Sequence, residues 1–259
     1  MDSLEGWHHF APYGELHALA LAVCIPLIAL PALIGRLLPS QTELNLRRAL
    51  AGVTIAYWFA YFIWWNWNGL DPRDGLPLQI CDLNGLLAPV TLLSGRRWMR
   101  ATVYFWTAAL TLQAFIQPAL TAGPASLVFW AFWSAHTLIV ACALYDLVVL
   151  HFRPGWRDFA IAVAISLLYV AIVFPINLWL GGDYGFVGNP APDIAVPPFV
   201  LALGPWPQRA VVLIGLVVLG FAIVLLPWLI AGRRPQAGAA GADFAGLDEA
   251  EPIGAKPRE

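Results

Sequence analysis

Charge is scarce in this sequence. Asp, Glu, Lys and Arg make up 12% of its 259 residues, where a soluble domain carries about one quarter. Lysine is nearly missing: Arg supplies all but one of the 14 basic residues, and Lys256 is the exception. The net charge of −2 leaves no basic surface for nucleic acid. Three cysteines, Cys24, Cys81 and Cys142, each lie in an apolar run, which argues against a disulfide framework. No CxxC or Cys/His spacing calls for a metal, so neither a metal nor a cofactor is expected. The first fifteen residues hold Asp2, Glu5 and Glu15 but no Lys or Arg, the wrong sign for a signal peptide. No internal repeat is evident, which weighs against an inverted-repeat transporter.

Long apolar runs are abundant. Hydrophobic residues reach 60%, and a membrane span needs roughly 20 predominantly apolar residues in a row. Seven runs qualify, near 16–35, 49–67, 77–95, 101–119, 126–150, 158–180 and 207–231. They are continuous and do not alternate, so helices are expected and a barrel is not. The fold class read here is all-α, a polytopic membrane protein of seven transmembrane helices. Residues 1–15 are expected as an extracytoplasmic segment and 16–231 as the transmembrane domain. Residues 232–259, rich in Ala, Gly, Pro and acids, are expected as a disordered tail.

Arginines set the expected orientation. They fall in alternate loops: Arg36, Arg47 and Arg48; Arg96, Arg97 and Arg100; Arg153 and Arg157; Arg233 and Arg234. By the positive-inside rule the N-terminus lies outside and the C-terminus in the cytoplasm. Abundant Arg, Ala, Gly and Pro suit a GC-rich bacterial genome, so the expected location is a bacterial cytoplasmic membrane.

On this topology the intramembrane polar groups gather in the outer half: Asn66 from the second run, Gln79, Cys81, Asp82 and Asn84 from the third, Gln113 from the fourth and Asn177 from the sixth. His136 lies roughly 15 Å along the fifth. Polar side chains in lipid usually face a bundle interior or a wet cavity, so a polar cavity near the extracytoplasmic side is expected. Helical geometry puts Cys81 on a face with Leu78, Asn84 and Gly85, and Asp82 about 100° round beside Gln79 and Leu86. Pro77 is expected in the first helical turn. The aromatic run "YWFAYFIWWNWN" (Tyr57 to Asn68) is read as mostly lipid- and interface-facing, and Trp156, Trp179, Trp206 and Trp228 as interfacial anchors.

A thiol with an imidazole in reach is a common way to activate a cysteine nucleophile. Cys81 is therefore the candidate nucleophile and His136 the candidate base, with Asp82 orienting His136. Asn66, Gln79, Asn84, Gln113 and Asn177 are candidate substrate-binding amides. The other reading is a transporter or ligand-binding sensor whose cavity holds a polar solute.

"WNWNGL…LPLQICDLNGLLAP", with "FWSAHTLIV" and "LGPWP", resembles the bacterial YwaF-like integral membrane family over about Trp65 to Trp206. More remotely, the chain is similar to the animal transmembrane-protein-one-six-four family of lipid acyltransferases. That resemblance implies a membrane cysteine accepting an acyl chain, a histidine base and a membrane lipid as substrate. The matching positions are Cys81 and His136. Asp82 follows the cysteine here, where the animal family differs, and Gln79 stands where the YwaF-like family more often has histidine.

Overall fold

The computed structural model describes residues 7–231. The expectations for residues 1–6 and for the tail 232–259 lie outside the described residues.

Helices dominate, as the apolar runs require. They are α1 (Glu15–Gly35), α2 (Ser40–Trp65), α3 (Ile80–Ser94), α4 (Arg97–Trp106), α5 (Gln113–Ile116), α6 (Leu127–Val148), α7 (Trp156–Leu180), α8 (Pro198–Leu201) and α9 (Gln208–Ile230). A π turn, Thr107–Thr111, joins α4 to α5. Among the described residues the only bridge of strand type pairs His9 with Ala122.

Four helices, α1, α6, α7 and α9, are long and apolar enough to cross a membrane. The other three runs depart from that pattern. Helix α2 has 26 residues but lower hydropathy, with Glu43, Arg47 and Arg48 in its first turns and a run of Tyr and Trp at its end. Helix α3 has 15 residues, about 22 Å at 1.5 Å per residue, short of a hydrocarbon core of roughly 30 Å. The fourth run is broken by the π turn. Pro77 lies ahead of α3, not in its first turn, because the chain stays non-helical until Gln79, the extended N-cap.

Helix α6 is the hub. Half of its apolar window is buried, against 22% in α1 and α7 and 17% in α9. It packs on α1, α2, α3 and the π turn, while α4 packs on α7, and α9 lies against the π turn and α7. Cys24 and Cys142 are buried packing residues, and Cys142 Sγ lies 3.5 Å from Thr54 Oγ1. Of the tryptophans read as anchors, Trp156 and Trp179 are exposed. Trp206 and Trp228 turn inward, donating to the Val187 carbonyl and the Tyr104 hydroxyl.

Ion pairs tie the helix ends on the arginine-rich side. Arg97 forks onto Asp158 at 2.9 and 2.7 Å. Asp158 also accepts from Gly155 N at 2.8 Å and so caps α7. Arg100 meets Asp146 at 2.9 Å and donates to the Leu150 carbonyl. Asp146 is 3% exposed. Removing one partner of such a buried pair typically costs about 3–5 kcal/mol, because the other charge is left stranded. Asp146→Ala should therefore lower the thermal midpoint of the detergent-solubilised protein by well over the effect of Arg48→Ala, whose side chain is exposed. Equal midpoints for the two variants would show that the Asp146 pair contributes nothing special.

Candidate functional site

One cavity of about 230 Å³ opens between α2, α3 and α6. Cys81, Asp82 and Gly85 line it from α3, and His136, Phe132 and Ile139 from α6. The cavity joins Cys81 to His136 across 55 positions of sequence. Both depend on α3 and α6 packing against each other.

Helix α2 supplies the third wall. Thr54, Tyr57, Trp58, Tyr61 and Trp65 form one stripe at three- to four-residue spacing, and all face the cavity. Phe59 and Ile63, on the other face, are exposed. Part of the run read as lipid- and interface-facing thus lines the cavity, while Phe59, Ile63 and Trp67 stay exposed. The spacing was visible in the sequence, but a run so rich in aromatics obscures which stripe is buried. Trp58 Nε1 donates to the Asp82 carbonyl at 2.8 Å, and Tyr57 donates to the Ala131 carbonyl at 3.0 Å. Gly85 lets α2 come close: a Cβ there would stand 3.1 Å from Trp58 Cδ1.

His136 is buried, with Nδ1 2.7 Å from the Phe132 carbonyl. A carbonyl only accepts, so Nδ1 carries the proton and the bare Nε2 is the basic atom. The orienting role read for Asp82 is thus filled at Nδ1 by a backbone carbonyl one turn earlier. Asp82 is the third residue of α3 and lines the cavity at the positive end of that helix.

The five amides do not line the cavity. Four of them make architectural hydrogen bonds. Asn66 donates to the Phe62 and Gly75 carbonyls. Gln79 donates to the Asp183 carbonyl and accepts from Gly185 N. Asn84 donates to Thr107 and Thr111. Asn177 is fully buried, accepting from Tyr184 N and donating to its carbonyl. Gln113 is exposed and away from the cavity.

These bonds knit the 66–79 and 181–209 segments into a cap over the start of α3. Tyr184 OH donates to the Pro72 carbonyl and accepts from Leu76 N, and Tyr169 OH donates to the Leu78 carbonyl. At Gly182 a Cβ would come 2.5 Å from the Arg73 carbonyl, so only glycine lets the two segments touch. Arg73 clamps Asp71 and Asp193 at 2.6 and 2.8 Å, which holds the exposed Asp71 carboxyl below its ordinary range. Burial pushes the Asp183 carboxyl up, opposed by the Gly188 N–H and by Arg209. Sequence reasoning missed Asp183 and Tyr184, because a 26-residue loop gives no periodicity from which to place them. Among the described residues, no three His, Cys, Asp or Glu side chains converge as metal ligands.

An apolar helical bundle that encloses a thiol, an imidazole and a carboxylate beneath a polar cap is an integral membrane protein with a built cavity. The TMEM164 family model matches residues 7–225, and the chain belongs to the TMEM164 family. The comparisons with curated proteins and with solved structures found no match.

The cap carries a pH signature. Asp183 holds its proton more tightly folded than unfolded, so this contribution to stability is present in acid. It is lost as pH rises from about 4 through the raised value. Asp183→Asn keeps an acceptor for Gly188 N–H without the charge. It should lessen the fall in thermal midpoint between about pH 4 and about pH 7; an unchanged slope in a midpoint-against-pH series would remove Asp183 as its source.

Proposed function

We propose that this chain is a seven-helix enzyme of the bacterial cytoplasmic membrane that transfers fatty acyl groups from a phospholipid ester. The N-terminus lies outside and the C-terminus inside, as the alternation of arginine loops supports. The cavity then opens toward the outer leaflet, and the lipid enters from that side. The observation that carries the reading is that Cys81 and His136 line one cavity; membership of the TMEM164 family and the resemblance to lipid acyltransferases support it.

The residues divide the chemistry as follows. His136 Nε2 takes the Cys81 proton as Sγ attacks the ester carbonyl. The negative charge that develops on the carbonyl oxygen meets N–H groups in the first turn of α3. The first intrahelical bond there is made by Leu83 N to the Gln79 carbonyl, so the N–H groups just before it lack helical partners and suit an oxyanion. The tetrahedral adduct collapses, the carbon–oxygen bond breaks, and His136 returns the proton to the leaving lysolipid oxygen. A thioester remains on Cys81. An acceptor hydroxyl then attacks it with His136 as base again, and the acyl chain moves on; water in its place gives hydrolysis. A drug-sized ligand fills roughly 300–1,000 Å³. At about 230 Å³ the cavity takes the ester and the start of one chain, with the rest of the lipid outside.

Purified protein incubated with mixed bacterial phospholipids should gain a fatty-acyl mass by intact mass spectrometry. The adduct should be absent from Cys81→Ala and strongly reduced in His136→Ala. Absence of both adduct and lysolipid from the wild type would contradict acyl transfer and favour a cavity that binds or transports a solute.

A further inference from the structure

The residues ahead of α1 are bonded to the loop that follows α5. Phe10 N donates to the Thr121 carbonyl at 2.8 Å, Gly123 N to the His8 carbonyl at 2.9 Å and Ala125 N to the Trp7 carbonyl at 2.9 Å. The fit is close: a Cβ on Gly123 would stand 2.7 Å from the Trp7 carbonyl oxygen. Ala119 and Leu120, just ahead of these bonds, line the cavity that holds Cys81 and His136. The N-terminal segment therefore braces one wall of the site.

His17, in the first turn of α1, ties the same parts of the chain a second time. It is buried, with Nδ1 2.9 Å from Tyr13 N and Nε2 3.0 Å from the Phe115 carbonyl oxygen. A backbone N–H only donates and a carbonyl only accepts, so Nδ1 is bare and Nε2 carries the proton. Both ring nitrogens are thus committed to backbone. The Phe115 carbonyl needs such a donor. Helix α5 is four residues long and stops at Gln117, whose φ of −135° is not helical. Phe115 lies in its last turn, where carbonyls lack helical partners. A single turn holds itself together poorly, and His17 anchors this one to α1, which packs on α6.

Phe115 in turn reaches the base. Its ring stands at 85° to the His136 imidazole, with centroids 6.4 Å apart, and the Phe132 ring lies against the same imidazole at 4.3 Å. Trp133 closes the group, 5.7 Å from the His17 ring and 5.8 Å from Phe115. The bond at Nδ1 fixes one point of the imidazole. The two phenyl rings limit its rotation about that point, so a displaced Phe115 frees His136 to turn.

We propose that His17 is a positioning residue of the site: by holding the Phe115 carbonyl it fixes the ring that keeps the His136 imidazole aligned in the cavity. This rests on His136 as the base but not on the identity of the acyl donor or acceptor.

The test compares the full chain as wild type, His17→Phe and His17→Gln. Phenylalanine keeps a ring among the aromatic neighbours and loses both bonds. Glutamine keeps an Nε2 donor for the Phe115 carbonyl. Acyl transfer is followed from bacterial phospholipids with radiolabelled acyl chains. Displacing a catalytic group by about 1 Å costs on the order of a hundredfold in rate. His17→Phe should lower kcat by roughly tenfold or more with KM held within about twofold, and His17→Gln should recover most of the loss. A second readout needs no acyl transfer: carbethoxylation of His136 by diethyl pyrocarbonate, read by peptide mass against the exposed His151 of the same chain. His136 should react faster in His17→Phe and at the wild-type rate in His17→Gln. Should His17→Phe not fold, Phe115→Leu removes the ring, keeps the backbone bond and should give the same two changes. A wild-type kcat and a wild-type His136 rate in His17→Phe, a change confined to KM, or no rescue by glutamine overturns the proposal. Absence of acyl transfer from all the proteins, with the His136 difference intact, would remove the proposed activity and leave this inference standing.

Discussion

The structure depends on how a short helix begins. Helix α3 is too short to reach both ends of the bundle, and its first turn lies beneath a folded cap. Three N–H groups there have no helical acceptor, and water is largely kept away. The polar residues around Ile80 answer that constraint. Asp82 sits at the positive end of the helix, Gln79 reaches up to Asp183 and Gly185, and Asn84 reaches sideways to the π turn. Cys81, between them, is left facing the cavity beside unpaired N–H groups. A capping problem and a reactive position thus come from the same short stretch, Gln79 to Asn84.

Helix α6 supplies the complementary part. It is the most buried of the four span-length helices, and its own backbone fixes the imidazole. The bond from Nδ1 to the Phe132 carbonyl sets the tautomer without a carboxylate. Asp82 is thereby released from the role that a Ser-His-Asp arrangement would assign to it. Aromatic rings on α2 and Phe132 on α6 form apolar walls around these polar atoms, so the pocket suits a substrate that is mostly hydrocarbon with one polar ester.

Much of the fold was legible because apolar runs and helices share one length scale. The ends of α1, α6, α7 and α9 fall close to the limits of their runs. Where the structure departs, local bonding outweighs hydropathy. Pro77 to Gln79 read as helix by composition, yet the segment is held extended in the cap by Tyr169 and Gln79. The π turn leaves no hydropathy trace, although two threonines four apart in "TAALT" are a faint sign of a polar seam. Cys81 and His136 stood out because each was a chemistry-bearing side chain in an apolar run. The amides stood out for the same reason, but sequence alone could not tell a ligand from a strut. Asn66, Gln79, Asn84 and Asn177 bind backbone or threonine partners contributed mostly by distant or non-helical segments, and no pattern along the chain predicts such partners.

The shared cavity is the centre of this account, and cross-linking tests it most directly. With Cys24 and Cys142 replaced by Ala and His136 by Cys, the membrane-embedded protein would be treated with a short bis-methanethiosulfonate reagent. The account predicts one reagent bridging positions 81 and 136 within a single chain, with no free thiol remaining. Two reagents bound separately, one on each cysteine, would place the two side chains in different environments and contradict it.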